Sequence, residues 1–212
     1  AHVSNYYQAD ETALEAMAYQ TDSVQAEQDG NVIWFVPEDP TAGLILYPGG
    51  KVEYTAYAPL LRACAENGIL CALVRMPGNL AVLDANAADG LQQEHPEITT
   101  WYIAGHSLGG AMAAGYAAAH EKYYGGLILL AAYSTKNLTD TPLRVLSVYG
   151  SEDGVMNRES YEKNRANLPA DTTEVVLDGG CHSQFGSYSP QDGDGIPTIS
   201  GEEQVRQTAE AI

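Results

Sequence analysis

The stretch TWYIAGHSLGGAMAAGYAAAH, residues 100–120, decides the fold. Thr100 to Ala104 is a short, largely apolar run that ends at a glycine and reads as a buried strand. Leu108 to His120 is rich in alanine, the strongest helix former. Between them lies Gly105-His106-Ser107-Leu108-Gly109-Gly110, a G-x-S-x-G pattern in a strand–turn–helix setting. A turn of this kind is sharp and strained, and it lifts the serine hydroxyl out of the sheet. Side chains two residues before and after the serine would collide there, which explains the glycines. The helix starting at Leu108 points its first amides and the positive end of its dipole at the space beside Ser107. Ser107 is the candidate nucleophile.

Outward from this stretch, strands and helices alternate. Upstream, Tyr7 to Tyr19 carries apolar residues at helical spacing, and Val24 to Glu27 and Val32 to Val36 flank an Asp29-Gly30-Asn31 turn. Leu44 to Tyr47 reads as a strand and Tyr54 to Glu66 as a helix closed by Asn67-Gly68. Ile69 to Val74 reads as a strand and Leu83 to Gln93 as a helix. Downstream come strands at Leu127 to Ala131, Leu143 to Tyr149 and Thr173 to Leu177, with helices at Ser160 to Asn167 and Glu202 to Ile212. This alternation predicts one α/β domain over residues 1–212. Its doubly wound, mostly parallel sheet has about eight strands, with helices on both faces. Residues 1–40 supply an N-terminal helix and edge strands, and 41–212 the core that carries the site. Ala132 to Pro142 is too short for a helical lid.

Ligands of such sheets bind beyond the carboxyl ends of the strands, so the residues just after each strand are the candidates. The histidine after the last strand is His182, in Gly179-Gly180-Cys181-His182-Ser183, and it is the candidate base. His2 is terminal, His95 and His120 end helices, and His106 is placed to support the nucleophile turn. Asp153, in Gly150-Ser151-Glu152-Asp153-Gly154 after a strand, is the candidate orienting acid, with Glu152 and Asp140 as substitutes. The loop Pro48-Gly49-Gly50-Lys51 follows another strand. Its Gly50 amide, with Lys51 as the alternative, is expected to join the Leu108 amide as an oxyanion donor. Arg75 and Asn79, just past a strand end, are possible substrate-binding residues. Asp192-Gly193-Asp194-Gly195 lacks the spacing of a calcium loop and reads as a solvated surface turn.

Composition narrows the partners. Hydrophobic residues make up 45% of the 212, enough for a sizeable core. Acidic side chains number 28 against 10 basic ones, a formal charge of −18. That field disfavours nucleic acids and anionic lipid surfaces. No run approaches a membrane span. No zinc-ligand spacing appears, and neither metal nor cofactor is expected. Cys64, Cys71 and Cys181 are an odd set, unlike a disulfide framework, and Cys64 and Cys71 read as free core thiols. The compartment stays open, cytoplasmic or extracytoplasmic after loss of an N-terminal signal or anchor, as does the oligomeric state.

With these residues in place, the chain resembles the α/β-hydrolase superfamily and, within it, small bacterial hydrolases related to dienelactone hydrolase. The resemblance rests on Tyr-Pro-Gly-Gly-Lys (47–51), Val-Arg-Met-Pro (74–77), Gly-His-Ser-Leu-Gly-Gly (105–110), Tyr-Gly-Ser-Glu-Asp-Gly (149–154) and Gly-Cys-His-Ser-Gln-Phe-Gly (180–186). It implies a minimal hydrolase without a lid domain and a Ser107–His182–Asp153 triad. The implied activity is hydrolysis of small carboxylic esters through an acyl-enzyme. A serine stands where dienelactone hydrolases typically use cysteine, which argues against dienelactone chemistry. Pro48 stands where many relatives have histidine. Thioesterase, peptidase and acyltransferase chemistry would use the same triad, and a non-catalytic binding protein would typically lack one member of it.

Overall fold

Eight strands form one sheet in the computed structural model, which describes residues 5–21 and 23–212. Strands β1 (Val24–Asp29) and β2 (Val32–Pro37) form an antiparallel hairpin, closed by Gly30 at φ +60° and Asn31. The others are β3 (Ala42–Tyr47), β4 (Ile69–Val74), β5 (Trp101–His106), β6 (Gly126–Leu130), β7 (Arg144–Gly150) and β8 (Thr172–Leu177). Their order is β1-β2-β4-β3-β5-β6-β7-β8; β2 joins β4 antiparallel and every later pairing is parallel.

The central strands are apolar on both sides because both faces are covered. Leu44, Leu46, Leu73, Ala104 and Val148 pack with α2 (Ala58–Glu66) and α5 (Gly201–Ala211). Ile45, Tyr47, Ala72, Ile103 and Leu129 pack with α3 (Leu108–Ala119) on the opposite face. Helix α4 (Arg158–Asn164) follows β7 and is tied to it by Tyr161, whose hydroxyl pairs with Ser147 at 2.8 Å. From β3 the chain winds to β4 on one side, and from β5 to β6 on the other. The carboxyl ends of β3 and β5 therefore flank the switch point, where such sheets build sites. Residues 131–143, between β6 and β7, contain no helix. No helix among the described residues is long and apolar enough to cross a membrane.

Two expected helices differ. The first, α1 (Glu11–Ala18), starts at Glu11 rather than Tyr7, because Asp10 caps it by accepting from the Ala13 amide at 3.0 Å. Tyr7 and Ala9 instead form isolated β-bridges, with Val52 and Tyr188. The Tyr7 amide donates to the Lys51 carbonyl at 2.7 Å, and the Glu53 amide to the Tyr7 carbonyl at 2.9 Å. The helix expected over Leu83 to Gln93 is absent and short 3₁₀ turns take its place, Ala81–Asp84 and Gln92–Glu94. Gly90 sits at φ +83°, which breaks a helix. The Tyr47 hydroxyl also donates to the Ala85 carbonyl at 2.8 Å and accepts from the Ala88 amide at 3.1 Å, so a side chain satisfies backbone groups that a helix would have paired.

Candidate active site

Ser107 joins β5 to α3 at φ +54° and ψ −123°, a conformation that a residue with a Cβ holds only when its surroundings dictate it. Glycines provide the surroundings. A Cβ on Gly105 would strike the backbone of Gly109 and Gly110, and one on Gly109 would strike the Tyr47 and Pro48 carbonyls. The elbow thus lies directly on the loop after β3. The Ser107 amide donates to the Leu130 carbonyl at 2.9 Å, and its carbonyl accepts from Gly110 and Ala111 at 2.9 and 3.2 Å.

In the loop after β3 the two oxyanion candidates separate. The Lys51 amide is committed to the Asn79 carbonyl at 2.7 Å, whereas the Gly50 amide has no acceptor among the described residues. A Cβ on Gly50 would sit 3.0 Å from Leu108 Cδ2, so Gly50 and Leu108 are neighbours. Leu108 is the first residue of α3, and its amide has no partner within the helix.

On the other side of the site, His182 Nδ1 lies 2.8 Å from Asp153 Oδ2, and the two side chains are 1% and 0% exposed. The Val155 and Met156 amides each donate to Asp153 Oδ1 at 2.8 Å. Burial pushes the Asp153 carboxyl pKa up. The His182 bond and the two amides outweigh burial and hold it below the usual carboxylate value. Nε2 of His182 is buried without a hydrogen-bond partner among the described residues. Glu152 and Asp140 are exposed. Cys181, beside His182, is a buried free thiol whose pKa burial pushes up to about 11. Cys64 and Cys71 are likewise buried and free.

The remaining histidines have other settings. His2 lies outside the described residues, His95 pairs with Glu97 at 3.2 Å, and His120 Nδ1 meets the Tyr116 carbonyl at 2.8 Å. His106 supports the turn through a chain of bonds. The Tyr57 hydroxyl accepts from the Gly49 amide at 2.9 Å, so its proton goes to His106 Nδ1 at 2.6 Å. His106 Nε2–H then donates to the His182 carbonyl at 2.9 Å. Burial is the main reason the His106 pKa falls to about 3, so the ring is neutral in this one tautomer. Tyr57 lies within a helix expected from the sequence, and nothing in its local pattern marks this role.

The solvated-turn reading of residues 192–195 needs correction. The Asp194 carboxylate turns inward and binds both loops that carry the acid and base. It accepts from the Gly154, His182 and Ser183 amides at 3.2, 3.1 and 2.8 Å. A carboxylate facing several free amides is not left to water.

Arg75 and Asn79 stand apart from this constellation. They line an open cavity of 720 Å³ with Asn31, Glu53, Tyr54 and Thr55, and neither Ser107 nor His182 borders it. Arg75 is exposed, and Asn79, at φ +58°, contributes its carbonyl to Lys51. Among the described residues, no group of three or more His, Cys, Asp or Glu side chains is placed to hold a metal ion.

Residues 43–206 match the family model described as the alpha/beta hydrolase family. The match is to the family at large and gives no closer kinship. No curated protein matches the sequence. Among solved structures, the chain is similar to a predicted CIB-like hydrolase from Thermoplasma acidophilum, with a TM-score of 0.63 and 16% identity. The alignment covers 89% of this chain and 97% of that one, a likeness of fold.

Proposed function

The chain belongs to the alpha/beta hydrolase family, and from that premise we propose that it is a serine hydrolase cleaving small carboxylic esters through an acyl-enzyme. One observation carries the reading: a buried Asp153–His182 pair at 2.8 Å with Nε2 free, its ring centroid 4.8 Å from that of His106, the residue before Ser107 on the strained elbow. Asp153, held anionic, accepts a hydrogen bond from Nδ1–H and leaves Nε2 as the basic nitrogen. Ser107 Oγ attacks the ester carbonyl carbon while Nε2 takes its proton. The Leu108 and Gly50 amides, without acceptors among the described residues, donate to the oxyanion. The imidazolium then protonates the departing alkoxide, leaving the acyl group on Ser107. Water attacks that acyl group with His182 again as base, releasing the acid and restoring the serine.

The high pKa of Cys181 keeps that thiol protonated and leaves Ser107 as the nucleophile. The helix-free connection between β6 and β7 supports a preference for short acyl chains, since a shallow pocket offers little wall to bury further methylenes. Arg75 and Asn79 would hold a polar substituent of the substrate in the cavity beyond the oxyanion loop.

Mass spectrometry after fluorophosphonate treatment tests the assignment. One adduct is expected on the peptide bearing Ser107, and none on a Ser107→Ala variant. Protein that hydrolyses p-nitrophenyl acetate yet carries no adduct at Ser107 would overturn the reading.

A further inference from the structure

Asp194 lies between β8 and α5, within residues 189–200, which form no strand or helix. Its carboxylate nevertheless has five donors: the Gly154, His182 and Gly195 amides on Oδ1, and the Ser183 amide and hydroxyl on Oδ2, at 2.7–3.2 Å. Burial pushes its pKa up. The Ser183 hydroxyl and the amides of Ser183, Gly154 and His182 outweigh burial, so the group is held below the usual carboxylate value and stays anionic. Steric contact reinforces the bonds. A Cβ on Gly195 would strike the Glu152 carbonyl, and one on Gly154 would strike the backbone of Gly193 and Gly195.

The Gly195 amide apart, the donors come from both halves of the acid–base pair. Gly154 follows Asp153 on the turn after β7; His182 and Ser183 lie on the loop after β8. The hydrogen bond between Asp153 and His182 joins two side chains, and rotation about their bonds would let it drift. Asp194 fixes the two backbones relative to each other from behind. From this geometry we infer that Asp194 is a positioning residue, a second carboxylate whose bonds set the separation of Asp153 and His182. The inference deepens the serine hydrolase reading and rests on it for the meaning of activity. Misplacing a catalytic group by about 1 Å can cost about 100-fold in rate, so such a brace acts on turnover rather than on substrate binding.

Asp194→Asn keeps the size but replaces one acceptor oxygen with a donor, turning an NH₂ toward donors on one side. We expect kcat toward p-nitrophenyl acetate to fall about 10- to 100-fold. KM should stay within about twofold, and the rate of fluorophosphonate labelling should fall with kcat. The proton between His182 Nδ1 and Asp153, visible far downfield by NMR in ¹⁵N-histidine-labelled protein, should broaden or vanish. Asp194→Glu should regain part of kcat.

Unchanged kcat with an intact downfield proton would overturn the inference, as would a rise in KM alone. If Asp194→Asn does not fold, Ser183→Ala decides, since it leaves Asp194 in place and removes the hydroxyl bond to Oδ2 together with the acceptor of the Gln191 amide. A folded Ser183→Ala should lose several-fold in kcat and show a broadened proton; wild-type values for both would overturn the inference. The NMR signal needs no substrate. Wild-type protein that takes no fluorophosphonate defeats the serine hydrolase reading, while the resonance still reports on Asp194.

Discussion

The two sides of the site are held by different physics. On the Ser107 side, backbone lies against backbone: Gly105 on the turn into α3, and Gly109 on the carbonyls of Tyr47 and Pro48. On the His182 side the holding contacts are polar and join distant segments. Ser151 to the Gly179 amide, Glu152 to Gly180, and Asp194 to residues 154, 182 and 183 all bridge separate loops. Packed backbone tolerates no added atom. The bonded loops are tight at Gly150, Gly154 and Gly195 as well, but they depend in addition on each donor meeting its acceptor.

The largest effect should come from the bonded side. Asp153→Asn keeps the shape but presents an NH₂ or a weaker acceptor to Nδ1, so the imidazole is held in the wrong tautomer. We expect kcat to fall about 10⁴-fold with little change in thermal unfolding. Glu152→Gln, at an exposed carboxylate on the same turn, should change kcat less than about twofold. Equal losses in the two variants would show that charge near the turn, not the bond to His182, carries the effect.

The packed side has its own sensitivity, and it is to acid. His106 is neutral when folded, with a pKa of about 3 against 6.5 for an ordinary histidine. Below about 6.5 the unfolded chain therefore binds a proton that the folded chain refuses. His106's contribution is fully present above that value and is lost as pH falls toward about 3. Asp153 and Asp194 have lowered pKa values, so their contributions are full above the ordinary carboxylate value of 3.8 and are lost only below it. Urea unfolding between pH 7 and 4 should show stability falling by up to about 1.4 kcal/mol per pH unit. A flat profile over that range would mean that His106 is not the buried, neutral group described here.

Glycine substitutions sharpen the contrast within one helix. Gly109→Ala drives a methyl into the carbonyls of Tyr47 and Pro48. Overpacking against rigid backbone should destabilise by about 3 kcal/mol. Gly115, on the same helix, has nothing within 4 Å of an added Cβ. Gly115→Ala should stabilise by about 0.5–1 kcal/mol, because alanine loses less backbone entropy in a helix. Equal responses in urea titrations would remove steric contact as the reason for Gly109.

What was legible in the sequence follows the same division. The packed side is encoded locally: G-x-S-x-G-G lies between an apolar run and an alanine-rich one, and Pro-Gly-Gly ends another strand. Alternating strands and helices also gave the sheet and the strand-end positions of Asp153 and His182. Longer-range polar partners were not legible. Asp194 sits in an Asp-Gly-Asp-Gly segment indistinguishable from a surface turn until the loops after β7 and β8 come together. Tyr57 reads as one more aromatic in a helix until Gly49 and His106 meet its hydroxyl. The helix expected over Leu83 to Gln93 failed for the same reason, since the competing partner, Tyr47, lies in a distant strand.

Tyr57 also joins the two sides, and replacing it tests whether they are coupled. Its hydroxyl accepts from the Gly49 amide in the loop after β3 and donates to His106, which in turn donates to the His182 carbonyl. Tyr57→Phe preserves the packing of a fully buried ring but leaves the Gly49 amide without an acceptor and His106 Nδ1 without a donor. Each unmet group in a dry site carries a desolvation penalty, partly relieved if a water enters, so stability should fall by about 1–2 kcal/mol. His106 is then free to take the other tautomer, which would break its bond to His182. If the chain transmits position, kcat/KM should fall about tenfold, the rate equivalent of about 1.4 kcal/mol. Fluorophosphonate labelling should slow in proportion, because it reports on the serine before any acyl group must leave. A variant that loses stability but keeps its labelling rate would show that the hydroxyl only fills a buried polar site. The packed and bonded sides would then be assembled independently, and Tyr57 would be no bridge between them.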